Sequence, residues 1–284
     1  MIKKESNLKI GEALREVRFN LGLSQAKMCE GIVQRPFYAL VESGKSGIRA
    51  ESLIMLLIKH EVDINYFYNL VMDSYVRSEA QIDRMLQNKM EYAVNSKNIK
   101  SINYYKNKII RSSSDEILKL RAQVTAAYFN NQLDDINDEI CQKIYKEFDK
   151  ENWIKSPALL RLLANTMPLW KHEILSSRIK HLLHTVQRKK VESELMLERY
   201  VRIFENYPVT CYDQKKYKSA EDACFIKEII DYILNNVTSF HFMIYRFHAY
   251  YMLALFENDQ QELANIQKIL REYGYEDIIG SWPT

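Results

Sequence analysis

Over the first seventy residues, apolar positions fall into short helical runs. Ile10, Leu14, Val17 and Leu21 recur at intervals of three and four, with Glu12, Arg15, Glu16 and Arg18 on the other faces, the pattern of an amphipathic helix. Gly22 ends this helix, Ser24 suits the N-cap of a second, and Gly31 closes the second. Gln34 precedes Arg35 and Pro36. Proline is tolerated in a first helical turn because its missing N–H would have no partner there, so a third helix is predicted from about residue 35 to 43. Gly44 stops it, and Leu53, Ile54, Leu56, Leu57 and Ile58 belong to a fourth helix starting near Arg49 or Ala50. Gly11, Gly22, Gly31, Gly44 and Gly47 all precede residue 48, and the next glycine is Gly274. Glycine tolerates positive φ at turns and helix C-termini, so the cluster predicts short helices with tight connections, and longer helices after it.

From about residue 75 the helical period continues, broken by clusters of Asn, Ser and Asp. The interruptions predict five helical hairpins, over about 76–110, 114–150, 156–188, 190–235 and 239–273. Units of about 35 to 45 residues are what a helical solenoid requires, since each helix pair buries its apolar stripe against its neighbours. The expected fold is all-α: a helix-turn-helix domain over residues 1–70 and a TPR-like helical-repeat domain over 71–284.

Composition narrows the function classes. The 284 residues are 47% hydrophobic and 27% charged, which suits a globular chain and not a disordered one. Lys3, Lys4 and Glu5 lead into Ser6, Asn7 and Lys9 instead of an apolar run, so a secretory signal is not expected and the protein is placed in the cytoplasm. Phe240 to Phe256 is the most apolar stretch, but His241, Arg246 and His248 interrupt it, and a buried helix is expected instead of a membrane span. Cys29, Cys141, Cys211 and Cys224 form no CxxC pair, which disfavours a disulfide framework or a zinc site and predicts free buried thiols. The net charge of +3 decides nothing about nucleic acid, because a DNA footprint depends on clustering. His181 and His184 lie three apart without a metal-site carboxylate, and no phosphate loop or nucleophile elbow is present. Neither an enzyme nor a cofactor is expected.

The run Leu23-Ser24-Gln25-Ala26-Lys27-Met28-Cys29-Glu30-Gly31-Ile32, continuing to Val41-Glu42-Ser43-Gly44, resembles the repressor-type helix-turn-helix. In such a motif Ser24 and Gln25 stand where a helix start meets a phosphate. On the third helix Tyr38 and Val41 share an inward face, which leaves Gln34, Arg35, Phe37 and Leu40 for the major groove. Arg35 is the expected reader, since a guanidinium pairs bidentately with guanine. Arg15, Arg18, Lys45 and Arg49 are candidate phosphate contacts.

The same motif followed by about 210 residues of irregular helical repeat resembles the Rgg-type regulators of Gram-positive bacteria, a group within the peptide-sensing quorum regulators. The pieces that carry this likeness are Gly31-Ile32-Val33-Gln34, Glu42-Ser43-Gly44-Lys45-Ser46-Gly47-Ile48, and the region from Asn152-Trp153 to Asn165. The resemblance implies a homodimer that binds double-stranded DNA and, on a concave helical surface, a short signalling peptide. Some members also use a cysteine near the end of the helix-turn-helix for an intersubunit disulfide; Ser46 and its neighbours provide none. The residues themselves are compatible with a peptide site: Arg161 and Asn165 are four apart, Arg202 and Asn206 repeat that spacing with Tyr200 nearby, and Tyr245, Arg246 and Tyr250 supply a third possible cluster. Trp153 and Trp170 are expected to pack in the core. The competing reading is a phage- or plasmid-type repressor whose helical domain only dimerises.

Overall fold

The computed structural model describes the backbone of every residue except 1, 73, 74, 76, 77, 150, 151, 189, 190, 192, 218, 281 and 284; the side chains of 2–8, 78 and 277 also lie outside the described residues. The charges of Lys3, Lys4 and Glu5 and the expected hairpin limits at 76, 150 and 190 fall among those left out. Among the described residues there is no strand. Helices are joined by short turns, and the chain divides into two compact units, Met1–Met85 and Leu86–Thr284.

The first unit contains α1 (Ile2–Asn20), α2 (Gln25–Cys29), α3 (Arg35–Glu42), α4 (Ala50–Lys59) and α5 (Ile64–Met72). Leu14, Val17, Met28, Tyr38, Val41, Leu56, Leu57 and Phe67 form its core. Gly22, Gly31 and Gly44 take φ of 66°, 74° and 70°, the left-handed values expected after helix ends. Gly11 departs from that expectation, because it lies inside α1 and not at a turn. A Cβ there would sit 2.1 Å from the Val41 carbonyl oxygen and 2.9 Å from that of Glu42. Glycine at this position lets α1 lie directly on the end of α3.

The longer helices follow in five pairs: α6 (Ser78–Asn95) with α7 (Ile99–Ser112), α8 (Glu116–Phe129) with α9 (Asp138–Glu147), α10 (Pro157–Thr166) with α11 (His172–Arg188), α12 (Glu194–Asp213) with α13 (Ala220–Asn236), and α14 (Met243–Glu257) with α15 (Gln260–Glu272). A short α16 (Glu276–Ile279) follows. The spans of these pairs match the hairpins read from the polar interruptions, but α7 packs most closely on α8, across an expected hairpin boundary. The starts are capped by side chains of the predicted kind: Asn98, Asp115, Asn137, Ser156, Ser193, Ser219 and Asp259 each accept from a backbone N–H of the first turn.

In the second unit, α8, α10, α12 and α14 pack successively on one another. One helix of each of the last four pairs therefore contributes to a common inner row, the arrangement of a TPR-like repeat. Trp153 and Trp170 are buried against Phe148, whose ring centroid lies 5.6 and 5.1 Å from theirs. Phe240 is exposed, but α14 behind it buries Tyr245, His248, Tyr251 and Met252, so the apolar stretch is a core helix. Among the described residues, no helix is long and apolar enough to cross a membrane. The four cysteines are free thiols; Cys29 and Cys211 are buried, but Cys141 is only half-buried and Cys224 is exposed, so the expectation of uniformly buried thiols holds for two positions.

Candidate functional site

In the first unit, the short α2 and α3 present the residues of the helix-turn-helix. Ser24 caps α2 by accepting from the Lys27 backbone N–H at 3.3 Å. Tyr38 and Val41 are buried, while Gln34, Arg35 and Leu40 are exposed and Phe37 is half-buried. The outward face of α3 thus carries the residues that the spacing assigns to it. Arg15, Lys45 and Arg49 are exposed as well.

Arg18 and Gln25 face the other way. Arg18 donates through Nε to Glu42 Oε1 at 2.6 Å and through a terminal nitrogen to Oε2 at 3.0 Å, and its second terminal nitrogen donates to the Leu23 carbonyl at 2.9 Å. Gln25 donates to Glu42 Oε2 at 2.8 Å. The Arg18 and Glu42 side chains are only 9% and 4% exposed, which makes this an internal pair joining α1, α2 and α3. Burial alone would raise the Glu42 carboxylate, but the hydrogen bonds from Arg18 and Gln25 outweigh it and hold the group below the ordinary carboxylate value. Burial, and then the negative charge of Glu42, push the Tyr38 phenol well up.

In the second unit a groove of about 310 Å³ runs along the inner row. Thr125, Tyr128 and Phe129 of α8, Ala164 and Asn165 of α10, Glu205, Asn206, Val209, Thr210 and Asp213 of α12, and His248 of α14 line it, with Val94 and Trp282 at its margin. Asn206 donates to the Ala164 carbonyl at 3.1 Å, and Asn165 accepts from Arg121 Nε at 3.0 Å. Each amide keeps hydrogen-bonding capacity beyond those contacts. Asp213 is raised by burial, and the neighbouring Tyr128 is raised by burial and by Asp213. At that end the groove joins a second hollow lined by Asp134. His248 is buried, 3.0 Å from Glu205, and packs on Trp282. Trp282 is itself held against Tyr251, whose hydroxyl donates to the Pro283 carbonyl.

The structure places six of the sequence-selected residues of this unit in two groups. Asn165 and Asn206 line the groove, and Arg161 and Arg202 stand one helical turn before them on the same helices. Tyr200 and Arg246 have internal partners instead. Buried Tyr200 donates to the Ile154 carbonyl at 3.1 Å, and Arg246 donates to the carbonyls of Leu234 and Val237 where α13 ends. Sequence reasoning missed Thr125, Tyr128, Glu205, Asp213, His248 and Trp282. It also missed Arg121, although Arg121 and Thr125 repeat the four-residue spacing of the pairs it did find.

Larger hollows of about 510 and 570 Å³ open around Trp153 and His181. The groove is the stronger candidate because it gathers amides, hydroxyls, carboxylates and an imidazole from four successive hairpins, the mixture an extended polar backbone needs. Among the described residues no cluster of His, Cys, Asp and Glu is arranged to hold a metal ion.

No protein-family model matches the chain, and no curated protein sequence matches it. Solved structures do. The SHP pheromone receptor Rgg2 of Streptococcus dysgalactiae superposes with a TM-score of 0.68 at 14% identity, covering 96% of each chain. PlcR of Bacillus thuringiensis, determined with the peptide PapR7 and DNA, gives 0.59 at 15% identity over 96% of this chain and 99% of its own. PrgX in its complex with cCF10 gives 0.60 at 17% identity over 95% and 89%. From end to end, the chain has the helical fold of the Rgg, PlcR and PrgX regulators.

Proposed function

We propose that this protein is a cytoplasmic, homodimeric transcription regulator in which residues 1–70 bind double-stranded DNA and residues 71–284 bind a short signalling peptide, as in quorum sensing. The observation that carries the reading is the pairing, in one chain, of an α3 helix with exposed Gln34 and Arg35 and a groove lined by amides from successive repeats. The PlcR complex, with peptide and DNA on one protein of this fold, supports it. In this assignment Arg35, Gln34, Phe37 and Leu40 face the major groove, and Arg15, Lys45 and Arg49 meet phosphates. Ser24 caps α2, while Arg18 and Gln25 hold the motif together through Glu42. Asn165 and Asn206 bind the peptide backbone, with Arg161 and Arg202 beside them.

A mobility-shift titration at fixed salt, on DNA flanking the protein's own gene and with short peptides encoded nearby, tests both halves. Specific binding that a peptide changes is the expected result, and Arg35→Ala is expected to lose roughly 1–3 kcal/mol of discrimination. Binding indifferent to every peptide would favour a repressor whose helical domain only dimerises. Absence of specific binding would overturn the DNA assignment.

A further inference from the structure

One turn before the residues that line the groove, the inner row gathers arginines with few carboxylates beside them. Arg121 of α8, Arg161 of α10 and Arg202 of α12 precede Thr125, Asn165 and Asn206 by one turn, and these three helices are consecutive in the inner row. The arginines therefore form a layer across the row. Arg199, one turn earlier on α12, adds a guanidinium close enough to Arg161 to feel its charge. The partners of this layer are few. Arg121 is bonded to Asn165 and lies 3.7 Å from half-exposed Glu91, with Asp115 acting from farther away. Arg202 pairs with Glu198 at 2.9 Å, and Glu198 also accepts from the Tyr245 hydroxyl. Among the described residues, Arg199 donates to the Leu195 carbonyl and the Met196 sulfur, and the charge of Glu198 offsets part of its own. Arg161 has a buried Nε with no hydrogen-bond partner.

Such groups destabilise an empty groove. A buried donor left unbonded loses its hydration without replacement, and like charges brought together in a low-dielectric site repel. Burial, followed by the charge of Arg161, brings the Arg121 guanidinium down to about 10, which leaves it a cation at neutral pH. Burial and Arg161 lower Arg199 in the same way. A bound carboxylate would relieve both penalties, since its two oxygens accept the forked donors of a guanidinium and its charge offsets the repulsion.

We propose that this arginine layer, centred on Arg161, receives a carboxylate of the bound peptide and so fixes the direction in which the peptide lies. The inference rests on the peptide-binding reading above. From Arg202 to Asp213, α12 rises about 16 Å at 1.5 Å per residue. An extended peptide spans that distance with about five residues. Its C-terminal carboxylate then lies at the arginines and its amine toward Asp213 and Asp134.

The test uses immobilised full-length protein and two equimolar pools of random pentapeptides, one of free acids and one of C-terminal amides, with retained peptides identified by mass spectrometry. The expected result is retention of free acids over amides by about tenfold or more, the range of one charge-assisted hydrogen bond. Retained amides are expected to carry Asp or Glu at the last position, which marks a side-chain source of the same carboxylate. Arg161→Gln is expected to erase the preference, and Arg161→Lys to restore part of it. Should Arg161→Gln reduce the folded fraction, Arg199→Gln reads a smaller loss in the same direction. Equal retention of acids and of amides without acidic residues would overturn the arginine layer while leaving the peptide reading intact. So would unchanged selectivity in the folded Arg161→Gln protein. Retention of nothing from either pool would overturn both readings.

Discussion

Each compact unit takes arginine nitrogen out of water, and the two environments are opposites. Arg18 in the first unit meets a carboxylate with both prongs of its fork, and a carbonyl takes the donor that remains. Arg161 in the second keeps an unbonded Nε, with Arg121 and Arg199 as its charged neighbours. A fully partnered buried cation ties helices together. A cation buried without sufficient partners makes the free fold less stable, and the missing interaction is left for something that arrives from outside.

The contrast can be broken most sharply at Glu42. Glu42→Ala strands the Arg18 charge inside the three-helix junction and is expected to destabilise the first unit by about 3–5 kcal/mol. Urea unfolding followed by circular dichroism would show that unit melting ahead of the helical repeat. Gly11→Ala attacks the same junction through its backbone, because the added methyl meets the Val41 carbonyl and forces α1 off α3. A loss of about 1–3 kcal/mol is expected, typical of overpacking, again by urea midpoint.

A smaller effect is expected from acid. Glu42 has its folded value depressed, so the stability it contributes is fully present above the ordinary carboxylate value of 4.5 and is lost as pH falls through the folded value. The unfolding midpoint should therefore drop from pH 5 toward pH 3, and Glu42→Gln should flatten the slope. Smallest of all is the peptide-free effect of Arg161→Gln, expected within about 1 kcal/mol of wild type and toward greater stability, since a like-charge contact is relieved. A thermal melt in which this variant fell as far as Glu42→Ala would erase the distinction between the two arginines.

The helices and their limits were legible because apolar period, cap residues and polar breaks all act within a few residues of one another. Asn165 and Asn206 were legible for the same reason: a four-residue interval fixes a shared face on one helix. The interval does not show which face the neighbouring helices cover. Tyr200 and Arg246 had the right chemistry and turned inward, to carbonyls of Ile154 and of Leu234 and Val237. Arg18 looked like a surface cation because Glu42, which captures it, is 24 positions away and belongs to a different helix. Gly11 sat among turn glycines in the sequence, and only the crossing of α1 and α3 gives its true reason. Arg121 was findable from its spacing to Thr125, but its importance depends on Arg161, which a single helix cannot reveal.

Solenoid repeats ordinarily communicate step by step, each hairpin sensing only the next. Here the Lys97 ammonium, in the turn between α6 and α7, donates to the Gly280 carbonyl at 2.7 Å, and Val94 and Trp282 border the same groove. The opening hairpin and the segment after α16 are thereby stitched together across the whole repeat. Loosening at either boundary is felt at the other, so this unit should unravel in one step, where an unstitched array would fray repeat by repeat.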